Sequence, residues 1–207
     1  IRIAAKRIKP YANRTPILTS ETIDQMAGRK LFFKCENFQK VGAFKFRGAM
    51  NALIAALETG RPPAVVTHSS GNHAQAVALA AKLLEIPAHI VMPTDAPIVK
   101  RSAVEGYGAV IHPCAPILEA RESTAAEVCR STGGLLIPPY DHPDVIAGQG
   151  TAALELHEDV GQLDAIIVPV GGGGLLSGVT LAYRELDSRT QIFAAEPSGA
   201  DDAFRSK

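Results

Sequence analysis

Three short segments of the sequence combine residue types that could bind an anion or react with a carbonyl compound. In the first, an apolar run from Ala165 to Val170 leads into four consecutive glycines, Gly171 to Gly174, and then into a helical pattern. Glycines let backbone N–H groups approach an anion closely, and the N-terminus of the following helix adds a favourable dipole. The pattern predicts a phosphate-binding turn; the alternative is a flexible turn without a ligand.

The glycine turn alone does not identify the phosphate. No lysine follows Gly178, so the turn is not a nucleotide-binding P-loop, and G-x-G-x-x-G fits in no register. Glu196 ends the next predicted strand about 20 residues further on, where a ribose-binding acid of a dinucleotide site would lie. From this segment alone, NAD binding therefore remains open.

The second segment runs from Glu36 to Ala49 and places Lys45 between two phenylalanines near the start of a predicted helix. Apolar surroundings and a cationic neighbour such as Arg47 lower the pKa of a lysine, which frees its amine to form a Schiff base. The alternative is a surface lysine whose flanking phenylalanines, Phe44 and Phe46, pack inward.

The third segment is a strand end followed by Ser69, Ser70, Gly71, Asn72 and His73. Such a strand-to-helix turn presents N–H donors and hydroxyls to a carboxylate or a phosphate. A hydrolase nucleophile is disfavoured because the G-x-S-x-G context is missing. The alternative is plain helix capping by one of the two serines.

Short apolar runs alternate with Ala-rich helical patterns, which predicts βαβ units, a parallel sheet and an α/β fold. The predicted strands are 31–35, 64–67, 88–92, 109–112, 135–137, 165–170 and 191–195. The predicted helices are 43–57, 72–84, 98–107, 118–129, 143–160 and 175–186. Proline-rich breaks at 58–63 and 138–143 indicate either boundaries of a smaller doubly wound unit or loops of one continuous sheet.

Composition narrows the class of protein. The 207 residues suffice for one large or two small domains, and 21 Lys and Arg balance 21 Asp and Glu, so no nucleic-acid partner is expected. No apolar run approaches the ~20 residues that cross a bilayer, and the first residues do not resemble a signal peptide, which favours a cytoplasmic protein. Three scattered cysteines disfavour a disulfide framework or a zinc site.

Taken together, the three segments resemble the fold-type II pyridoxal-phosphate enzymes, in the branch of serine racemases and serine/threonine dehydratases. The segment Glu36–Ala49 matches the pyridoxal-lysine signature, and the serine turn and the tetraglycine turn follow in the family's order. The resemblance extends through 143–151 and 195–202 and displaces the NAD interpretation. It implies the tryptophan synthase β-like fold, with parallel twisted sheets and helices on both faces.

The resemblance also implies site residues. Lys45 would bind pyridoxal phosphate covalently and act as the acid/base on one face of the substrate Cα, with Ser70 on the opposite face. Four groups of residues would complete the site: Phe44 and Asn72 at the cofactor ring, Gly171, Gly172, Gly173 and Gly174 around the phosphate, Ser69, Ser70, Asn72 and His73 at the substrate, and Glu196, Ala200 and Asp202 around Mg²⁺ (or Ca²⁺ or Mn²⁺).

The function that the resemblance implies is racemisation of serine together with L-serine/L-threonine ammonia-lyase activity. The alternatives are a threo-3-hydroxyaspartate ammonia-lyase and a truncated, catalytically silent binding domain. We expect residues 64–141 to form a small domain, and 1–63 with 142–207 to form a large domain whose C-terminal part is absent. A homodimer is expected for the full-length protein.

Overall fold

The computed structural model describes residues 1–206, which contain ten α-helices and eight β-strands. The helices are α1 (Arg2–Ile8), α2 (Glu21–Ala27), α3 (Lys45–Thr59), α4 (Asn72–Leu83), α5 (Ile98–Gly106), α6 (Leu118–Thr132), α7 (Pro143–Gln149), α8 (Thr151–Val160), α9 (Gly174–Leu186) and α10 (Asp202–Arg205). The strands are β1 (Ile17–Leu18), β2 (Phe33–Lys34), β3 (Val65–His68), β4 (Ala88–Pro93), β5 (Val110–Cys114), β6 (Leu135–Leu136), β7 (Ala165–Pro169) and β8 (Gln191–Ala195).

A four-stranded parallel sheet in the order β5-β4-β3-β6 confirms the predicted α/β class. Both of its faces are covered, because successive strand residues point to opposite sides. Val65 packs in the same cluster as residues of α3 and α4, whereas the adjacent Val66 packs with Ala125 and Val128 of α6. This double coverage explains why the strand sequences are continuously apolar.

The strands of residues 1–206 form three separate sheets, so the interpretation as one continuous sheet is wrong. Strands β7 and β8 pair in parallel, and β1 pairs with β2. All strands of the four-stranded sheet lie between the two proline-rich breaks. The assignment of 64–141 as an independent small domain stays a prediction.

Local predictions failed at five places. The β1–β2 pair is antiparallel, and helices α1, α2 and α10 were not predicted. Helix α2 buries none of its residues, so it has no apolar period to detect, although Ser20 caps its start and Gly28 ends it in the left-handed region. The predicted helix 143–160 is divided at Gly150, where a side chain would meet the Gly178 carbonyl oxygen at 2.7 Å.

Helix α3, which begins at Lys45, is fixed by a buried ion-pair network. Arg47 is fully buried and donates from Nε to Glu36 Oε2 at 2.8 Å and from Nη1 to Glu155 Oε1 at 2.7 Å. Lys34 Nζ lies 2.6 Å from the second oxygen of the Glu155 carboxylate. The network joins β2, α3 and α8, and so it holds the first turn of α3 in place.

None of the helices within residues 1–206 is long and apolar enough to cross a membrane.

Candidate active site

The amine of Lys45 lies in a half-buried position at the first residue of α3. Its Nζ donates to the Pro139 carbonyl oxygen at 2.6 Å and lies 5.3 Å from the centre of the Phe44 ring and 5.9 Å from that of Tyr140. Burial lowers the pKa of Lys45 to about 8, and no carboxylate among residues 1–206 forms an ion pair with it. A much larger fraction of this amine is therefore uncharged near neutral pH than in a solvated lysine, as a nucleophile requires.

The glycine turn connects the end of β7 to the start of α9. Gly173 precedes the helix with a φ of 80°, and Gly171 and Gly173 have no heavy atom within 4 Å of an added Cβ. Within residues 1–206, none of the N–H groups of Gly171 to Gly174 donates a hydrogen bond. The turn thus offers free donors at the N-terminus of a 13-residue helix without any charged side chain, which suits a phosphate.

The side chain of Tyr140 lies close to both Lys45 and the glycine turn. A Cβ on Gly172 would overlap the Tyr140 ring, and one on Gly174 would lie 3.1 Å from the Tyr140 carbonyl oxygen. The same ring faces the Lys45 ammonium, and the preceding residue, Pro139, supplies its hydrogen-bond acceptor. The amine and the glycine turn therefore lie on either side of a single aromatic side chain.

The serine turn follows β3 and leads into α4, with Gly71 at the N-cap. Ser69 Oγ accepts the Gly71 N–H at 3.2 Å, whereas the side chains of Ser70 and Asn72 have no hydrogen-bond partner within residues 1–206. Of the two serines that were considered as helix caps, Ser69 alone forms a local hydrogen bond in the described part of the chain, to the Gly71 N–H. The hydroxyl of Ser70 and the amide of Asn72 are available for a ligand.

His73, the last residue of the serine turn, lies near the segment that Lys45 contacts. Its imidazole is buried and its Nε2 lies 3.1 Å from the Ile137 carbonyl oxygen. Burial is the main cause that lowers the pKa of His73 to about 3; the bond to Ile137 acts in the opposite direction, and the nearby charge of Lys45 lowers the pKa further. His73 contacts the Ile137 carbonyl and Lys45 the Pro139 carbonyl, so both side chains lie against the segment 137–139.

The predicted cation ligands form a helix cap in this structure. The two carboxylate oxygens of Glu196 accept the N–H groups of Ala203 and Phe204 at 3.1 and 2.7 Å, and Asp202 is the first residue of α10. No group of three or more His, Cys, Asp or Glu residues in the described chain could hold a metal ion. The cation site stays a prediction.

Sequence reasoning missed three residues around the site. Pro139 and Tyr140 were interpreted as part of a break between units, although loops that connect rigid elements commonly carry function. The third is Lys100, whose Nζ lies 3.5 Å from an added Cβ on Gly71. No local pattern marks this lysine, because its position depends on how α5 packs.

Two surface depressions of about 540 and 430 Å³ lie away from Lys45, lined mainly by residues of α1, α7, α8 and α9, and neither includes a predicted site residue. Gly171 and Gly172 are exposed. The glycine turn is therefore accessible from solvent.

Comparisons with known proteins agree with this geometry. The family described as "Pyridoxal-phosphate dependent enzyme" matches residues 8–207. The chain is 55% identical over 203 residues to the L-threo-3-hydroxyaspartate ammonia-lyase of Saccharomyces cerevisiae, covering 98% of this chain and 62% of that protein. It is 52% identical over 206 residues to the serine racemase of Dictyostelium discoideum, covering all of this chain and 64% of that protein.

A solved structure is also similar. The structure of maize serine racemase superposes with a TM-score of 0.97 at 53% identity, covering 99% of this chain and 62% of that chain. The chain thus spans less than two thirds of the length of these relatives.

Proposed function

Because the chain belongs to the family of pyridoxal-phosphate dependent enzymes, we propose that it racemises serine and releases ammonia from L-serine and L-threonine. The observation that carries the proposal is the half-buried Lys45 amine beside Tyr140, whose ring packs on Gly172. Serine racemases from several organisms are 52–53% identical to nearly the whole chain, which supports this choice of substrate.

The residues of the chain divide the binding work between them. The amine of Lys45 is the group that would bond covalently to the cofactor aldehyde, and the free N–H groups of Gly171 to Gly174 would bind its phosphate. Phe44 would flank the cofactor ring, and the unpaired amide of Asn72 would donate to its hydroxyl. When bound, pyridoxal phosphate withdraws electrons from the substrate Cα and makes the Cα proton removable.

Proton transfer would use two residues on opposite faces of the substrate. The Nζ of Lys45, with its lowered pKa, would take the Cα proton on one face, and the Ser70 hydroxyl would give a proton on the other, which inverts the centre. If the Cβ–O bond breaks after the Cα–H bond, water leaves, and hydrolysis of the product gives a keto acid and ammonia. The turn from Ser69 to His73 would bind the substrate carboxylate.

A second candidate is threo-3-hydroxyaspartate ammonia-lyase activity. Enzymes with that name from Saccharomyces cerevisiae and a Pseudomonas species are 55% and 52% identical to the chain, as similar as the serine racemases are. The reaction needs the same Cα proton removal and the same loss of a β-hydroxyl, so the residues above would serve both substrates. A catalytically silent binding domain would bind ligands without releasing a keto acid.

The proposal also covers a cation site, the assembly state and the location of the protein. Glu196, the Ala200 carbonyl and Asp202 would hold Mg²⁺, Ca²⁺ or Mn²⁺, since oxygen ligands suit these ions. We also propose a homodimer, a cytoplasmic location, and no nucleic-acid or membrane partner.

Replacing Lys45 tests the cofactor assignment. Lys45→Ala should abolish the visible absorbance of the lysine-bound cofactor, because no other amine at this site forms the bond. Lys40→Ala, which removes a neighbouring lysine that stacks on Phe46 at 5.5 Å, should keep it. Borohydride reduction of the loaded protein followed by peptide mass spectrometry should find the label on Lys45, and a label elsewhere would contradict the proposal.

Replacing Ser70 tests the two-face assignment. Ser70→Ala should lower serine racemisation by about 100-fold or more, the usual contribution of an acid/base group, while L-serine elimination falls much less. Ser70→Thr, which keeps a hydroxyl, should restore part of the racemisation. D-serine and pyruvate are measured in the same reaction, and an equal loss of both would show that Ser70 is not the opposite-face acid.

A further inference from the structure

Helix α5 brings a lysine next to the serine turn. Lys100 lies in the first turn of α5, and its Nζ is 3.5 Å from the position of a Cβ added to Gly71. Apart from Gly71's own chain neighbours, it is the single heavy atom of residues 1–206 within 4 Å of that position. The ammonium of Lys100 is therefore the group that lies beside the turn at Gly71.

The charge of Lys100 is not neutralised by the protein. Lys100 is half-buried, and its side chain forms neither an ion pair nor a hydrogen bond within the described part of the chain. No acidic residue lies in the first turn of α5 or of α4. The N-terminus of α4 carries a partial positive charge of its own, so two positive groups lie close together here and an anion beside them would be stabilised by both.

From this arrangement we infer that Lys100 binds the second carboxylate of a dicarboxylic β-hydroxy amino acid and so lets the site act on hydroxyaspartate as well as on serine. The inference rests on the proposed function, in which the turn from Ser69 to His73 binds the carboxylate next to the reacting carbon. In hydroxyaspartate only two carbon atoms separate the carboxylates, so a cation within a few ångström of the turn reaches the second one. Serine has no group that uses this charge.

The test compares two substrates in the cofactor-loaded protein. Lys100→Met keeps the length of the side chain and removes its charge. It should lower kcat/KM for L-threo-3-hydroxyaspartate by about 10- to 100-fold, the usual effect of losing a hydrogen bond to a charged group, mainly by raising KM. The value for L-serine should change little. Lys100→Arg should restore part of the hydroxyaspartate activity, and Lys30→Met, which removes an exposed lysine between α2 and β2, should change neither value.

A binding measurement separates this inference from the proposed function. L-aspartate has the second carboxylate but no leaving hydroxyl, and L-alanine has neither. Calorimetry should show that wild-type protein binds L-aspartate more tightly than L-alanine, and that Lys100→Met removes the difference. Equal binding of the two ligands by the wild type, or an equal loss of activity on both substrates, overturns the role of Lys100. Loss of the Lys45 label would instead overturn the proposed function.

Discussion

At the scale of single residues, the Tyr140 ring excludes any side chain at position 172. The Tyr140 ring occupies the space that any side chain at position 172 would need. That ring also forms a wall beside the Lys45 amine. The missing side chain at Gly172 and the aromatic ring at Tyr140 are thus two parts of one surface, on which the cofactor phosphate would lie.

Alanine substitutions in the glycine turn should have unequal effects. Gly172→Ala should displace the Tyr140 ring and lower the free energy of unfolding by about 1–3 kcal/mol, the usual cost of overpacking, with weaker cofactor binding. Gly171→Ala places its methyl group in open space and should change stability by less than about 0.5 kcal/mol. Urea denaturation and cofactor titration of both variants measure the difference.

The double variant Tyr140→Ala/Gly172→Ala supplies the control. Removing the ring should cancel most of the steric cost, because the space beside position 172 becomes free. An additive loss of stability in the double variant would contradict the assigned overlap.

At the scale of elements, helix α3 is positioned by a close contact with α7, and the α7 residue at that contact, Gly148, has no side chain. A Cβ on Gly148 of α7 would lie 2.5 Å from the Arg47 carbonyl oxygen and 2.6 Å from the Gly48 Cα. The two helix backbones therefore touch, and the crossing fixes the turn of α3 that follows Lys45. The buried ion pairs of Arg47 hold the same turn from the other side.

Gly148→Ala should destabilise the protein by about 1–3 kcal/mol or more, because backbone atoms cannot move aside without separating α3 from α7. It should also alter the reactivity of Lys45, measured as the rate at which the free protein binds the cofactor aldehyde. Gly106→Ala is the matched control, since nothing lies within 4 Å of its Cβ at the end of α5. It should be neutral or stabilising by up to about 1 kcal/mol, as expected for glycine replaced by alanine in a helix. Equal effects of the two substitutions would show that the α3–α7 crossing is not tight.

At the scale of the whole molecule, buried titratable groups couple stability to pH. Burial lowers the pKa values of His68, His73 and His89, which come from two strands and a helix of the four-stranded sheet unit. The folded state keeps these imidazoles neutral, whereas the unfolded chain takes up protons near pH 6.5. Their contribution is therefore fully present above about pH 6.5 and is lost as the pH falls below it.

His73 should dominate this dependence, since burial lowers its pKa to about 3. Below about pH 6.5, the free energy of unfolding should fall by about 1.4 kcal/mol for each pH unit on account of His73 alone. His73→Gln keeps a hydrogen-bond donor for the Ile137 carbonyl and should flatten the slope between pH 6 and 4. Unfolding curves across this range test the sign, and a slope that His73→Gln leaves unchanged would contradict the assignment.

The pattern of residues along the chain was sufficient for the parallel α/β class and for most elements from α3 onward, because apolar periodicity and glycine or proline breaks are local properties. It failed for α2 and for β1, the antiparallel partner of the predicted strand β2, because both bury little and carry no clear period. The three reactive segments could be recognised from their residues, and the family match supports the resemblance drawn from them.

Tertiary packing decided what those segments form together. Only the folded chain brings the Pro139 carbonyl and the Tyr140 ring to Lys45, and only α5 brings the ammonium of Lys100 to Gly71. The lowered pKa of Lys45 likewise depends on burial by residues distant in sequence. The physical reason is that short-range patterns determine which elements form, whereas the surroundings of a charged group depend on elements that meet after the chain has folded.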